Sequence, residues 1–186
     1  MRRAGWALAI LSTLLAFAGL GMTGHMVAHM IAVAVAAPLF AFSDAGRARV
    51  GAGAPLAWAM AEFLVVWSWH APALRAIADH YAVVTLIEQA SFLAIGVALW
   101  RSAVAQPAAG VAALLLTSMH MTLLGALIGL ADRPLFAMMA MHAAPGLDAL
   151  ADQQLGGVAM LVIGGASYCL GGLWLLGTML KERTPA

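Results

Sequence analysis

His25-Met26-Val27-Ala28-His29-Met30 is the sharpest chemical pattern in this chain. Histidines at i and i+4 lie on one helical face about one turn apart, so both imidazoles can reach one metal ion. Met26 and Met30 repeat that spacing on a neighbouring face. Imidazole suits several transition metals, whereas thioether sulfur favours Cu(I). The competing reading is plain packing, because an HxxxH pair on a helix is a weak signal alone and interfacial histidines are often merely hydrogen-bonded.

His120, flanked by Met119 and Met121, falls near the middle of a long apolar run. An ionisable side chain at that depth is costly, so it is either a packing histidine bonded to Ser118, Thr122 or a carbonyl, or a deep ligand below His25 and His29. Glu62 and Glu88 invite the same two readings: partners of polar groups inside a bundle, or acceptors that orient metal-bound histidines. His70 and His80 flank a short turn, and each glutamate lies eight residues from its histidine, about 12 Å deeper if helical. Met138-Met139-Ala140-Met141-His142 is a second soft-ligand cluster, read either as apolar packing or as a capture point for copper. Asp152-Gln153-Gln154 reads as a helix N-cap with amides in the first turn, and the same group could bond a ligand histidine.

The elements that must position these residues are membrane helices. Of 186 residues, 64% are hydrophobic and 9% charged, with a mean hydropathy of +0.95. Six apolar runs predict an all-α polytopic transmembrane bundle forming one domain, with spans at about 4–21, 25–42, 55–72, 81–101, 108–131 and 153–179. Pro38 falls inside the second span and is expected to kink it. The pairs Gly156-Gly157, Gly164-Gly165 and Gly171-Gly172 let the last helix pack closely. Arg2-Arg3, an apolar stretch and Ala16-Phe17-Ala18 also fit a cleavable signal peptide, although a retained helix is the expectation here.

Positive charge sets the orientation. With both termini cytoplasmic, Arg2, Arg3, Arg47, Arg49, Arg101, Lys181 and Arg183 fall inside, and only Arg75 and Arg133 fall outside. All six histidines then share the outer side. The net charge of +1 and the lack of a basic stripe argue against nucleic acid. The single cysteine, Cys169, excludes an internal disulfide and any CxxC motif.

The chain resembles the CtaG family of membrane proteins linked to cytochrome c oxidase assembly. The resemblance runs through His25-Met26-Val27-Ala28-His29 with Ala37-Pro38-Leu39, and Trp67-Ser68-Trp69-His70-Ala71-Pro72-Ala73-Leu74. It continues with Glu88-Gln89-Ala90-Ser91-Phe92, Trp100, His120, Leu124-Gly125-Ala126-Leu127, Arg133-Pro134-Leu135-Phe136 and Asp152-Gln153-Gln154-Leu155-Gly156-Gly157. It implies a multi-pass protein of the bacterial cytoplasmic membrane that helps supply copper to the copper B site of oxidase subunit I. The family's polar positions fall on His25, His29, His70, Glu88, His120 and the Asp152-Gln153 pair. Glu62 and the methionine run have no place in that pattern. Members are usually longer, with an additional N-terminal span.

These observations give a non-enzymatic copper-handling assembly factor. Its predicted ligands are His25, His29, His70, His120, Met26 and Met30. Glu62, Glu88, His80, Asp152, Gln153, Met141 and His142 are expected around them or on the way in. A periplasmic copper donor and oxidase subunit I are the expected partners, and a homodimer is left open. One rival is a b-type cytochrome with His29 and His120 as axial haem ligands. The other is a metal-free accessory subunit of a respiratory complex. No nucleophile–base pair, phosphate loop or nucleotide fingerprint supports an enzyme.

Overall fold

The computed structural model describes residues 1–43 and 54–182, and every regular element among them is a helix. In chain order these are α1 (Arg2–Ala16), α2 (Gly21–Ser43), α3 (Ala54–Trp69), α4 (Pro72–His80), α5 (Ala82–Ala105), α6 (Pro107–Gly129), α7 (Ala137–Met141) and α8 (Ala149–Lys181). Arg47, Arg49 and Arg183, three of the charges used for orientation, lie outside the described residues.

The six apolar runs correspond to α1, α2, α3, α5, α6 and α8. Four of these, α2, α5, α6 and α8, are long and apolar enough to cross a membrane. The expectation of six full spans is therefore met only in part. With 15 and 16 residues, α1 and α3 reach about 22–24 Å, short of the roughly 30 Å hydrocarbon layer. The segment Pro72–His80, expected as a loop, is helical. Pro72 stands at its first position, where a missing N–H costs nothing, and Arg75 binds Asp79 one turn on.

The bundle packs α6 along α8, α3 against α5 and α6, and α2 between α1, α5 and α8. Small residues allow the closest approach. A Cβ on Gly157 would lie 2.7 Å from the Gly125 carbonyl oxygen and would collide with the Gly129 nitrogen, so α6 and α8 touch backbone to backbone. On α8, Gly164 faces the Met30 sulfur and Gly171 faces the Trp100 ring.

The predicted disturbance near Pro38 takes the form of a wide π-turn at Ile31–Ala36. Within it Ala37 N–H donates to Ala32 rather than Val33, and Pro38 has no N–H to offer Ala34. Two carbonyls are freed inside the bundle. The Val33 oxygen accepts from Trp100 Nε1 at 3.1 Å, and the Ala34 oxygen accepts from Ser167 Oγ at 2.8 Å. A second π-turn interrupts α8 at Met160–Gly164.

The start of α2 is held from outside its own sequence. Asp152 accepts from the backbone N–H groups of Met22 at 2.7 Å and Thr23 at 3.1 Å, while Thr23 Oγ1 donates to the Asp152 carbonyl at 2.9 Å. Gly21 has φ +58, and a Cβ there would run into the Asp152 carboxylate. The N-cap of α8 is Asp148, which accepts from Ala151 N–H at 2.8 Å, and not Asp152 as the sequence suggested. Asp148, immediately before the helix, takes the local cap, while Asp152, already inside the first turn, caps a distant helix.

Candidate metal centre

Three imidazoles converge at the end of the bundle where α2 begins and α3 ends. His25 and His29 come from the first turns of α2, and His70 follows the last residue of α3. The ring centroids of His25 and His70 are 5.3 Å apart, those of His29 and His70 also 5.3 Å, and those of His25 and His29 6.5 Å. Phe92 of α5 closes the group from one side, stacked on His29 at 3.9 Å. All three histidines are buried, His29 completely.

The hydrogen bonding of these rings is incomplete in an informative way. His70 Nδ1 lies 2.7 Å from the Val66 carbonyl, which makes Nδ1 the protonated nitrogen and turns Nε2 inward without a partner. Neither ring nitrogen of His29 has a hydrogen-bond partner. Buried polar atoms are rarely left bare, and these nitrogens are the ones available to accept a proton donor or a metal ion. Metal–nitrogen bonds of about 2.0–2.1 Å put the centroids of imidazoles sharing one ion roughly 5–6 Å apart. The two spacings to His70 meet that requirement, and His25 and His29, at 6.5 Å, stand wider than it. Among the described residues, no three His, Cys, Asp or Glu side chains already stand in coordinating geometry.

A buried guanidinium borders the histidines. Arg75, on α4, is only 2% exposed and forms an ion pair with Glu88 Oε1 of α5, which is itself fully buried. Its Nε and Nη2 both donate to Asp79 Oδ1 at 2.9 Å, and its Nη1 donates to His25 Nδ1 at 3.1 Å. Because arginine only donates, His25 Nδ1 must be the bare, accepting nitrogen. His25 Nε2 stands 3.9 Å from Glu88 Oε1. Burial pushes the Asp79 carboxyl up from its ordinary value, and the adjacent Arg75 charge pulls it back.

A cavity of about 350 Å³ opens beside this group, lined by His25, Arg75, Asp79, His80, Met139 and His142 among others. His80 and His142 are exposed at its wall, and Met141 is exposed on α7. The side chain of Met138 lies outside what is described.

The other predicted site residues lie outside this trio of rings. His120 has no ring contact with the three histidines among the described residues. It meets Phe63 edge-on at 5.4 Å, and both its ring nitrogens lack partners. Met26 and Met30 are fully buried in the apolar core, with the Met30 sulfur turned toward Gly164 on α8. Asp152 serves the first turn of α2. Gln153 ties α8 to the loop after α6, accepting from Leu135 N–H at 2.6 Å and donating to the carbonyls of Ile128 at 3.2 Å and Arg133 at 3.3 Å. Glu88 and Glu62 lie in separate networks: Glu88 faces Arg75 and His25, whereas Glu62 Oε1 accepts from Tyr168 OH at 2.5 Å.

Arg75 and Phe92 escaped the sequence reading. Arg75 counted there only as one of two outer charges. Its spacing of four from Asp79 was the available signal, since an i,i+4 pair with Ala76 and Ala78 between its members suits a short helix. Phe92 entered only as the end of the Glu88-Gln89-Ala90-Ser91-Phe92 run, with no role of its own.

Comparison with known proteins agrees with the resemblance drawn from the motifs. No curated protein and no solved structure matches the chain. The sequence model of one family, the cytochrome c oxidase caa3 assembly factor (Caa3_CtaG), matches residues 3–182. With nearly its whole length covered and its buried histidines drawn from the matched segments, this multi-pass membrane protein belongs to the Caa3_CtaG family of cytochrome c oxidase assembly factors.

Proposed function

We propose that the chain is a non-catalytic copper carrier that takes up Cu(I), holds it between His25, His29 and His70, and passes it to cytochrome c oxidase. One observation carries this reading: three imidazoles meet in a buried pocket, and three of their nitrogens have no hydrogen-bond partner. The cavity lined by His80, Met139 and His142 is the way in, with soft and imidazole donors at its wall to hand the ion inward. Imidazole nitrogen by itself suits several metals. A monovalent ion is preferred because it adds least charge to an apolar interior, and because membership in an oxidase-assembly family supplies a use for copper. The acceptor we infer is the copper B site of subunit I, with a periplasmic protein as donor.

Orientation follows from the charge asymmetry: the histidine end faces the periplasm, both termini face the cytoplasm, and α1 and α3 cross with the four longer helices. The membrane is then the bacterial inner membrane.

Metal and haem analysis of the purified protein, paired with its optical spectrum, tests the reading. About one copper per chain, no Soret band and loss of copper in His29→Ala and His70→Ala are expected. Stoichiometric haem, or copper retained in both variants, overturns it.

A further inference from the structure

Glu62 is a completely buried carboxyl in the middle of α3, about 12 Å along the helix axis from His70. Unlike Glu88, its recorded partners are hydroxyls. Tyr168 OH donates to Oε1 at 2.5 Å, and Thr117 Oγ1 faces the same carboxyl without a well-formed hydrogen bond. Glu62 Oε2 and Thr117 Oγ1 are both buried with no other partner. Close by, the Val33 carbonyl released by the π-turn lies 3.3 Å from Tyr168 OH and accepts from Trp100 Nε1. One turn along α6 from Thr117 is His120, with two unpartnered ring nitrogens.

We propose that Glu62, Tyr168 and Thr117 form a proton-binding site whose proton is exchanged for the metal ion held by the histidines. The proposal rests on the copper reading above and adds to it a second site and a second ligand. Hydroxyl partners can serve a carboxyl in either state. Tyr168 donates to the carboxylate when it is charged, and Thr117 accepts from the acid when it is neutral. A fixed cation, such as Arg75 beside Glu88, favours the charged form. Glu62 has hydroxyl partners and no paired cation, so either state can be accommodated there.

The exchange balances charge. Three neutral imidazoles gain one positive charge when they take up Cu(I), in an interior where uncompensated charge is costly. Loss of the proton from Glu62 returns the interior to its former net charge. The proton leaves the carboxyl oxygen for the aqueous cavity, with His120, one turn nearer the histidines on α6, as the relay. Across about 12 Å at an effective dielectric constant near 20, the attraction amounts to about a tenfold change in proton affinity. By reciprocity, it amounts to the same change in metal affinity.

The test uses the full chain in lipid nanodiscs and Ag(I), a redox-inert monovalent ion, in weakly buffered solution with a pH-indicating dye. Ag(I) binding to the unmodified protein should release protons across the pH range in which Glu62 changes state, up to about half a proton per ion for a tenfold coupling. Glu62→Gln should bind Ag(I) about tenfold more weakly at alkaline pH and release none. An infrared carboxylic-acid band should be present without metal, fall on Ag(I) addition and be missing in Glu62→Gln. Tyr168→Phe, which keeps the ring but removes the donor, should reduce proton release. Ag(I) binding without proton release, or equal release from Glu62→Gln, overturns the exchange and leaves the copper site standing. If the unmodified protein binds neither Ag(I) nor Cu(I), both readings fall.

Discussion

Arg75 Nη1 donates to Nδ1 of His25 at 3.1 Å while it also pairs with the buried Glu88 carboxylate. A permanent cation thus sits at the edge of the proposed metal site and uses one of its lone pairs. For His25 to ligate through Nδ1, the guanidinium must withdraw, and α4 carries it on a short helix at the edge of the bundle.

Replacing that cation should expose the balance. Arg75→Gln leaves Glu88 buried without a partner, which costs about 3–5 kcal/mol in comparable buried pairs. A metal ion at the histidines would return part of the lost compensation. The metal-free variant should melt at a lower temperature than the unmodified protein and should gain more in Tm on Cu(I) addition. An equal metal-induced gain in both proteins would contradict the role of Arg75 as a competing cation.

The histidines themselves should rank by position. His29 is completely buried between Phe92 and His70, whereas His142 is an exposed wall residue of the cavity. Losing even an indirect metal partner typically costs 10–100-fold in affinity, so His29→Ala and His70→Ala should weaken Cu(I) binding by at least about tenfold. His142→Ala should slow uptake and leave equilibrium affinity within about twofold, because it touches the route and not the holding site. Competition titration with a Cu(I) chelator and stopped-flow uptake separate the two effects.

Much of the helical framework was legible because each segment is long, apolar and bounded by charge or proline. The HxxxH spacing placed His25 and His29 on one face for the same reason. What could not be read were relations between segments. Asp152 looked like the cap of its own helix and in fact caps α2, since nothing in its neighbourhood encodes a partner 130 residues away. Met26 and Met30 carried the argument for a soft metal, yet helix rotation turns the Met30 sulfur toward Gly164. Glu62 and Glu88 looked equivalent by depth, but one found Tyr168 and the other Arg75, a difference set by which helices pack side by side.

The cap on α2 gives a stability prediction. Asp152 is buried and holds two backbone N–H groups of the helix that carries His25 and His29. Removing a capping carboxylate costs about 0.5–2 kcal/mol, and the upper part of that range applies where the freed N–H groups stay buried. Asp152→Ala should lower unfolding stability by about 1–2 kcal/mol, read by denaturant titration in detergent micelles. Unchanged stability would mean that water or another group satisfies the first turn of α2.

Two glycines on α8 should respond in opposite ways to the same change. A methyl group at Gly157 would sit 2.7 Å from the Gly125 carbonyl and would clash with the Gly129 backbone, where no flexible side chain can yield. Overpacking of this kind costs about 1–3 kcal/mol, so Gly157→Ala should destabilise the bundle by pushing α6 from α8. Nothing lies within 4 Å of a Cβ built on Gly177. There the ordinary helix preference for alanine, about 1 kcal/mol, should make Gly177→Ala neutral or stabilising. Parallel thermal unfolding of both variants measures the difference, and equal effects would show that α6 and α8 do not meet at Gly157.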